Sequence, residues 1–497
     1  MELTKKQIFY LFLIINAFLW ACIQLMRNII SIDSMEAITW GELISFGTNK
    51  HPPLSGWLMS GFYHLTGGSD YAVYLFGQLC ILVGFVFIYK LAKFFVSEEK
   101  ALCSAMILEA CFYYTYYIYV NSYNCNVLLM ALWPIVTYYF YKSLKNNSIK
   151  DWILFGISSG LAFLGKYQIV FLFFAMFVYL LAAERKQFRQ RGMYLAILTG
   201  LIVILPHVIW LFNNDFFSFA YMIERTGSET HNLPAILVKL SHLFYPVKFI
   251  ADQILAVGAC IGIYLITALK AKNISINKDG KKSDKLFLLI VGIVPILTQG
   301  LMAMFTGNRV PGIWGSIMVG FAGIMLFYFF PIKFEKDTFN YFVKWAFASM
   351  IVSAIAVWTF AIYETKPFIA FPTEDVMRDF TSIWRNKSNF SDLKYVGGNM
   401  ELVFQFKFYH KEHQTVILET FGHKNPWIDH EDVLKSGALV VAKDSEELID
   451  RVKDLIYLLP EDYKITPEKY KYEICNKKHK CVENEFYYAV IPPLQEY

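Results

Sequence analysis

Two carboxylates and a few dispersed cations are the residues of this chain whose types and spacing can do chemistry. Asp33 and Glu36 open the stretch DSMEAITWGELISFGTNKHPPLSGW, which ends at Trp57. Asp33, Glu36 and Trp40 stand at i, i+3 and i+7, so a short helix would carry two acids and an interfacial aromatic on one face. Acids placed in this way can take a proton from a hydroxyl or stabilise a developing positive charge. The plainer reading is a capping box with Asp33 as N-cap and Glu36 at N3, and both readings stay open here. Lys50 and His51 follow, and His51-Pro52-Pro53 stops the helix and turns the chain. The cations suited to a phosphate are Lys166, Arg225 and Arg309. Lys166 is followed at once by another apolar run, so it either snorkels to the interface or meets an anion such as a lipid phosphate. Arg225 and Arg309 have the alternatives of a pair with Glu224 or Glu229, or a headgroup contact.

The elements that must position these groups are membrane helices. The chain has 497 residues, 56% of them hydrophobic and 18% aromatic, with a mean hydropathy of +0.39, which lies outside soluble composition. Eleven apolar stretches approach the roughly 20 residues that cross a bilayer. They centre near Asn16, Val83, Met106, Pro134, Ile157, Met176, Ile202, Gly258, Val291, Val319 and Val352, the fourth and fifth reading as short or interrupted. Lys and Arg collect on alternate connections, which predicts a cytoplasmic N-terminus and an exported C-terminus. The expected organisation is mainly α, with about 11 transmembrane helices in residues 1–363 and a small extracytoplasmic α/β domain in residues 364–497. In the latter, ELVFQFKFYH, TVILET and GALVVAK read as strands and SEELIDRVKDLIYLL as a helix. Cys475 and Cys481 of CNKKHKC read as a disulfide in an oxidising compartment, with His479 leaving an incomplete zinc set as the alternative.

The same parity gathers the polar features on one membrane face. These are the first loop, NSYNCN with Tyr123, Asn124 and Asn126, the pair Lys166-Tyr167, the segment 213–247 with Glu224, Arg225, Glu229, His231 and His242, and Gly307-Asn308-Arg309. Ionisable groups at membrane depth are expensive, so their convergence predicts a site. Tyr113 to Tyr119 and Tyr123 are either a pocket wall or belt residues. Glu36, His51, Glu224 and His231 have the oxygen and nitrogen atoms a divalent ion takes, without a diagnostic spacing, so no cofactor is assigned and a metal is left open. No GxGxxG or P-loop is present, and no nucleic-acid partner is expected.

The first-loop stretch, followed by NCNVLLMALWP, FLGKYQ, PHVIWLFNNDFFSF, YVGG and NPWID, resembles the bacterial membrane glycosyltransferases of the protein-mannosyltransferase type. The aminoarabinose transferases that modify lipid A share this plan. The resemblance implies a GT-C fold with amphipathic helices on the outer surface and a bacterial inner-membrane location with the C-terminal domain in the periplasm. It also implies inverting transfer of a sugar, an amino sugar or a hexose, from a polyprenyl-phosphate donor. The acceptor it implies is lipid A or another envelope glycolipid. Asp33 matches the first-loop aspartate, with Glu36 displaced from the position directly after it. Lys166 matches a residue that contacts the donor phosphate, with Arg225 and Arg309 as helpers. Lys50 and His51 stand where those enzymes carry glutamate and lysine. Asn124 and Asn126 lie where many relatives have an acid, and with Tyr123 and Tyr167 they are the expected substrate contacts. Protein O-glycosylation with the same donor type is the alternative enzyme. A lipid or solute transporter is the alternative of another class, although no internal repeat supports it.

Overall fold

A computed structural model describes residues 3–216, 218–221, 235–272, 274–388, 392–410, 415–418, 428–456 and 464–493. The chain divides into two compact units, Met1–Gln24 with Ala37–Trp358, and Leu25–Glu36 with Thr359–Tyr497.

The first ten α-helices are α1 (Lys5–Gln24), α2 (Ile32–Glu42), α3 (Leu54–Leu65), α4 (Asp70–Ala92), α5 (Glu98–Met106), α6 (Tyr116–Asn121), α7 (Cys125–Asn146), α8 (Ile149–Gly165), α9 (Val170–Ala183) and α10 (Arg191–Asn213). Among the described residues six helices are long and apolar enough to cross a membrane: α1, α4, α7, α10, Lys282–Thr306 and Lys336–Tyr363. A further pair, Val238–Ala256 with Gly258–Ala271, is bent by 42°. The protein is therefore a multi-pass membrane protein. The interrupted stretch is the third, not the fourth. It comprises α5, the 3-10 turns Ile107–Ala110 and Phe112–Tyr114, and α6, and Glu109 in its break accepts a hydrogen bond from Trp20 Nε1 at 2.7 Å. The fourth stretch is the unbroken α7 with Pro134 inside it, a placement that helix neighbours in a bilayer tolerate.

The helices nearest the site pack through small residues. α8 lies along α10 and α7. A Cβ on Gly156 would stand 2.0 Å from Thr199 Oγ1 and 2.2 Å from the Ala196 carbonyl, and one on Gly160 would stand 2.6 Å from Val203 Cβ. This Gly-xxx-Gly face lets the two backbones touch, and α8 ends one residue before Lys166.

In the second unit a five-stranded sheet has the order β2-β1-β3-β5-β4, from Tyr395–Gly398 (β1), Thr415–Leu418 (β2), Ala438–Ala442 (β3), Glu468–Cys475 (β4) and Cys481–Ile491 (β5). β1 is parallel to β2 and β3, while β5 is antiparallel to β3 and β4. Val440, Leu448, Val452 and Ile491 are part of its core. Cys475 and Cys481 face each other across the β4–β5 hairpin and form a disulfide. ELVFQFKFYH is a helix, Met400–Tyr409, rather than a strand. Asn399 caps it by accepting the Glu401 amide at 3.1 Å, and five successive residues from Leu402 to Phe406 are buried, so its apparent alternation has no exposed face. The segment Leu25–Glu36 is tied into this unit. The Asn28 amide donates to the Ile369 carbonyl at 3.1 Å, and Ile30 N donates to the Tyr409 hydroxyl at 2.9 Å.

Replacing Gly156 by Ala is expected to push α8 off α10 and destabilise the protein by about 1–3 kcal/mol, in the range of core overpacking. Thermal unfolding of the full chain in detergent tests this, and an unchanged midpoint would show that the helices do not depend on the contact.

Candidate functional site

The first loop is shaped by one threonine. Thr48 N and Oγ1 donate to the His51 carbonyl at 3.1 and 3.0 Å. Thr48 Oγ1 accepts the amides of Lys50 and His51 at 3.2 and 3.0 Å. This ST-type turn holds Lys50 and His51 side by side just before α3. Ser218 Oγ donates to the Thr48 carbonyl at 2.5 Å. The His51 ring meets Trp40 edge-on at 5.7 Å, and Lys50 Nζ lies 5.4 Å from the centre of the Tyr221 ring. Burial, with Lys166 and then Lys50 nearby, pushes the His51 pKa down from 6.5 to about 3. His51 is therefore a neutral imidazole between two lysines at physiological pH.

Lys166 occupies the single extended residue between α8 and the 3-10 turn Tyr167–Ile169 that leads into α9. Its ammonium donates to Asn126 Oδ1 at 2.5 Å and lies 5.2 Å from the centre of the Trp314 ring. Asn126 Nδ2 donates in turn to the Tyr117 hydroxyl at 2.9 Å. Trp314 is positioned by Gln168, whose Nε2 donates to the Trp314 carbonyl and to Gln299 Oε1, both at 2.7 Å. The lysine thus has a fixed direction, set by an amide on one side and an aromatic face on the other.

The other expected contacts are mostly struts. Asn124 caps α7 by accepting the amides of Asn126 and Val127 at 3.0 and 3.1 Å. Tyr123 is fully buried and donates to the Ser55 carbonyl at 3.0 Å. The Tyr167 hydroxyl pairs with His207 Nε2 at 2.8 Å, while His207 Nδ1 bonds the Phe46 carbonyl at 2.6 Å, fastening the first loop to α10. Arg309 is exposed after the helix Lys282–Thr306. Arg225, Glu224 and His231 lie outside the described residues.

Asp33 and Glu36 belong to the second unit, at the start of α2. The helix begins at Ile32, two residues earlier than a cap at Asp33 would require. Ser31 Oγ accepts the Ser34 amide at 3.3 Å, so a serine does the capping and Asp33 is in the first turn, exposed. Glu36 is buried. Among the described residues neither Glu36 nor His51 falls in a group of three or more His, Cys, Asp or Glu that could share an ion. The group that does exist, Glu473 with Cys475 and Cys481, has its thiols in the disulfide.

Comparison with known proteins gives this arrangement a context. The family model described as dolichyl-phosphate-mannose-protein mannosyltransferase matches residues 50–210. The crystal structure of ArnT from Cupriavidus metallidurans bound to undecaprenyl phosphate superposes with a TM-score of 0.61 over 97% of each chain, at 12% identity. The chain has a GT-C fold. Among sequence relatives, the lipopolysaccharide core galacturonosyltransferase RgtA of Rhizobium johnstonii is 20% identical over 56% of this chain and 55% of its own length. The lipid A galacturonosyltransferase RgtD of the same organism is 22% identical over 37% of this chain and 39% of its own. The matches thus span about half the length of these relatives or less.

The family match within this GT-C fold covers Lys50, His51, Asn124, Asn126, Lys166 and Tyr167, and leaves Asp33 and Arg309 outside it. Thr48, His207 and Trp314 are the positioning residues that sequence reasoning did not single out, while Tyr117 falls in the aromatic run it read as a pocket wall or belt. Trp314 stands in VPGIWG, where the proline and glycines of a turn were the available signal.

The depressed His51 pKa has a stability consequence with a definite sign. The unfolded chain takes up a proton below about pH 6.5 and the folded chain does not until about pH 3, so this contribution is intact above 6.5 and lost as pH falls through that window. The unfolding midpoint should drop between pH 7 and pH 5, and His51→Gln should flatten that drop. An equal drop in both proteins would place the acid sensitivity elsewhere.

Proposed function

We propose that the protein is an inverting glycosyltransferase that moves a sugar from a polyprenyl phosphate to lipid A or another envelope glycolipid. The reaction would take place on the outer face of the bacterial inner membrane, with the N-terminus cytoplasmic and the C-terminal unit periplasmic. The observation that carries this reading is the Lys166 ammonium held by Asn126 at 2.5 Å, both residues inside the segment matched by the mannosyltransferase model. The GT-C fold, the names of the galacturonosyltransferase relatives and the one-sided distribution of Lys and Arg support the donor, the acceptor and the orientation respectively.

Breaking the bond between an anomeric carbon and a phosphate oxygen develops positive charge on the sugar and leaves negative charge on the phosphate. Two lysines at the phosphate stabilise the second. Lys166 is suited to this because its hydrogen bond to Asn126 orients the ammonium before substrate arrives, so little reorganisation accompanies the reaction. Neutral His51 can donate or accept a hydrogen bond without competing for the anion. Asp33, exposed at the helix start, serves as the anion of the reaction. It orients or deprotonates an acceptor hydroxyl, or stabilises the oxocarbenium-like carbon if the acceptor is already a phosphate. Attack from the face opposite the departing phosphate inverts the anomeric centre.

Lys166→Met is expected to lower transfer by about 10²–10³-fold, the loss typical of one electrostatic stabiliser. Asp33→Asn is expected to lower it by about 10²–10⁴-fold. Mass spectrometry of lipid A and other envelope glycolipids, from cells with the wild type, each variant or no protein, reads both effects and gives the mass of the added sugar. Identical glycolipids in all strains would overturn the lipid acceptor. Exported glycoproteins would then be measured, because the matched family model is described as a protein mannosyltransferase.

A further inference from the structure

We propose that a cleft beside the turn that carries Trp314 binds a polyhydroxylated sugar ring, with Asp252 and Lys248 recognising its hydroxyls. This inference rests on the glycosyltransferase reading above. The cleft has a volume of about 400 Å³ and is lined by Phe112, Tyr113, Lys248, Asp252, Leu255 and Gly312, among others. It lies in the first unit, between the helix Ala235–Ala256, the turn Phe112–Tyr114 and the turn Gly312–Gly315.

The charged pair is out of keeping with the helix that carries it. Leu243, Phe244, Val247, Ile254 and Leu255 on that helix are large, apolar and exposed, as lipid-facing residues are. Lys248 Nζ nonetheless pairs with Asp252 Oδ2 at 2.7 Å, one turn apart. Charges at membrane depth face a hydrated or polar cavity rather than acyl chains, so the pair marks the cleft as a polar pocket with an apolar rim. An ammonium next to a carboxylate sets a donor beside an acceptor, which is the pattern that neighbouring sugar hydroxyls satisfy in both directions. Phe112 and Tyr113 add aromatic faces for the apolar side of a ring.

The walls are also fixed before any ligand enters. Tyr113 donates its hydroxyl hydrogen to the Gly312 carbonyl at 2.7 Å, and Gln253 Nε2 donates to the same oxygen at 3.0 Å. A Cβ on Gly312 would fall 2.4 Å from Asp252 Oδ2, so only glycine lets the carboxylate lie against the turn. Two chains of side-chain contacts connect the walls of the cleft with Lys166. Trp314, in the same turn as Gly312, underlies Lys166. Tyr113 meets Tyr117 edge-on at 6.0 Å, and Tyr117 bonds Asn126, the partner of Lys166. We assign the ring to a lipid substrate of the same enzyme, and the titration below separates the sugar of the donor from a sugar of the acceptor.

The test uses the full chain in lipid nanodiscs, with ligand-induced thermal stabilisation titrated for undecaprenyl phosphate, an undecaprenyl-phosphate-linked hexose and lipid A. Asp252→Asn and Gly312→Ala should each weaken a sugar-bearing lipid by about tenfold or more, the loss expected for a hydrogen bond to a charged group, and leave undecaprenyl phosphate unchanged. Lys166→Met should weaken undecaprenyl phosphate itself. The double replacement Lys248→Asp with Asp252→Lys keeps an ion pair on the helix, so weakened binding there separates recognition from folding. A loss confined to the hexose-linked lipid assigns the ring to the donor, and a loss confined to lipid A assigns it to the acceptor. Wild-type binding of both sugar-bearing lipids by Asp252→Asn and Gly312→Ala would overturn the cleft alone. Failure of all three lipids to stabilise the wild type would overturn the glycosyltransferase reading and the cleft with it.

Discussion

A lysine ammonium at the end of an apolar helix has to be given polar company, and the site is built around how Lys166 receives it. An amide oxygen from the start of α7 accepts its proton at 2.5 Å, and an indole ring lies beneath it. Neither of these two neighbours carries a negative charge, so each solvates the cation as a dipole or a ring face, which is the kind of company that suits the anion-binding role proposed for it.

The same economy governs the first loop. Thr48 uses both backbone and side chain to fold four residues into a turn, and the turn brings Lys50 next to His51. Burial first, and then the nearness of Lys166 and Lys50, disfavours a charge on His51, and the histidine stays neutral. The positive field is then carried by two lysines, with an uncharged hydrogen-bonding group between them. α10 holds the loop through His207 and Phe46, so the support of the site is itself a polar network inside the helical unit.

The acid of the proposed reaction is held in a different way. The residues before Asp33 are bound to the second unit through Asn28 and Ile30, and α2 starts in that unit and continues into the helical one. The short helix Pro367–Ala370 and the helix Met400–Tyr409 thus supply partners for the residues that precede the first-loop aspartate.

Composition and local pattern determined the membrane character, the small α/β unit and most of the motif residues, because hydropathy and turn chemistry act over a few neighbouring positions. Lys50, His51, Asn126 and Lys166 were readable as site candidates from type and context. Their joint arrangement was not, since Lys166 and its partner Asn126 are 40 positions apart and Trp314 comes from much later in the chain. Local pattern also misled where burial was complete. ELVFQFKFYH alternates on paper, yet both of its faces are covered, and with no solvent side to select period two, the Asn399 cap and the surrounding core made it a helix. The break in the third stretch likewise depended on Trp20 of α1 reaching Glu109. Sequence alone thus named candidates for the chemistry by residue type. Tertiary structure decided which of them meet, because distant side chains are brought together by helix packing that no short window contains.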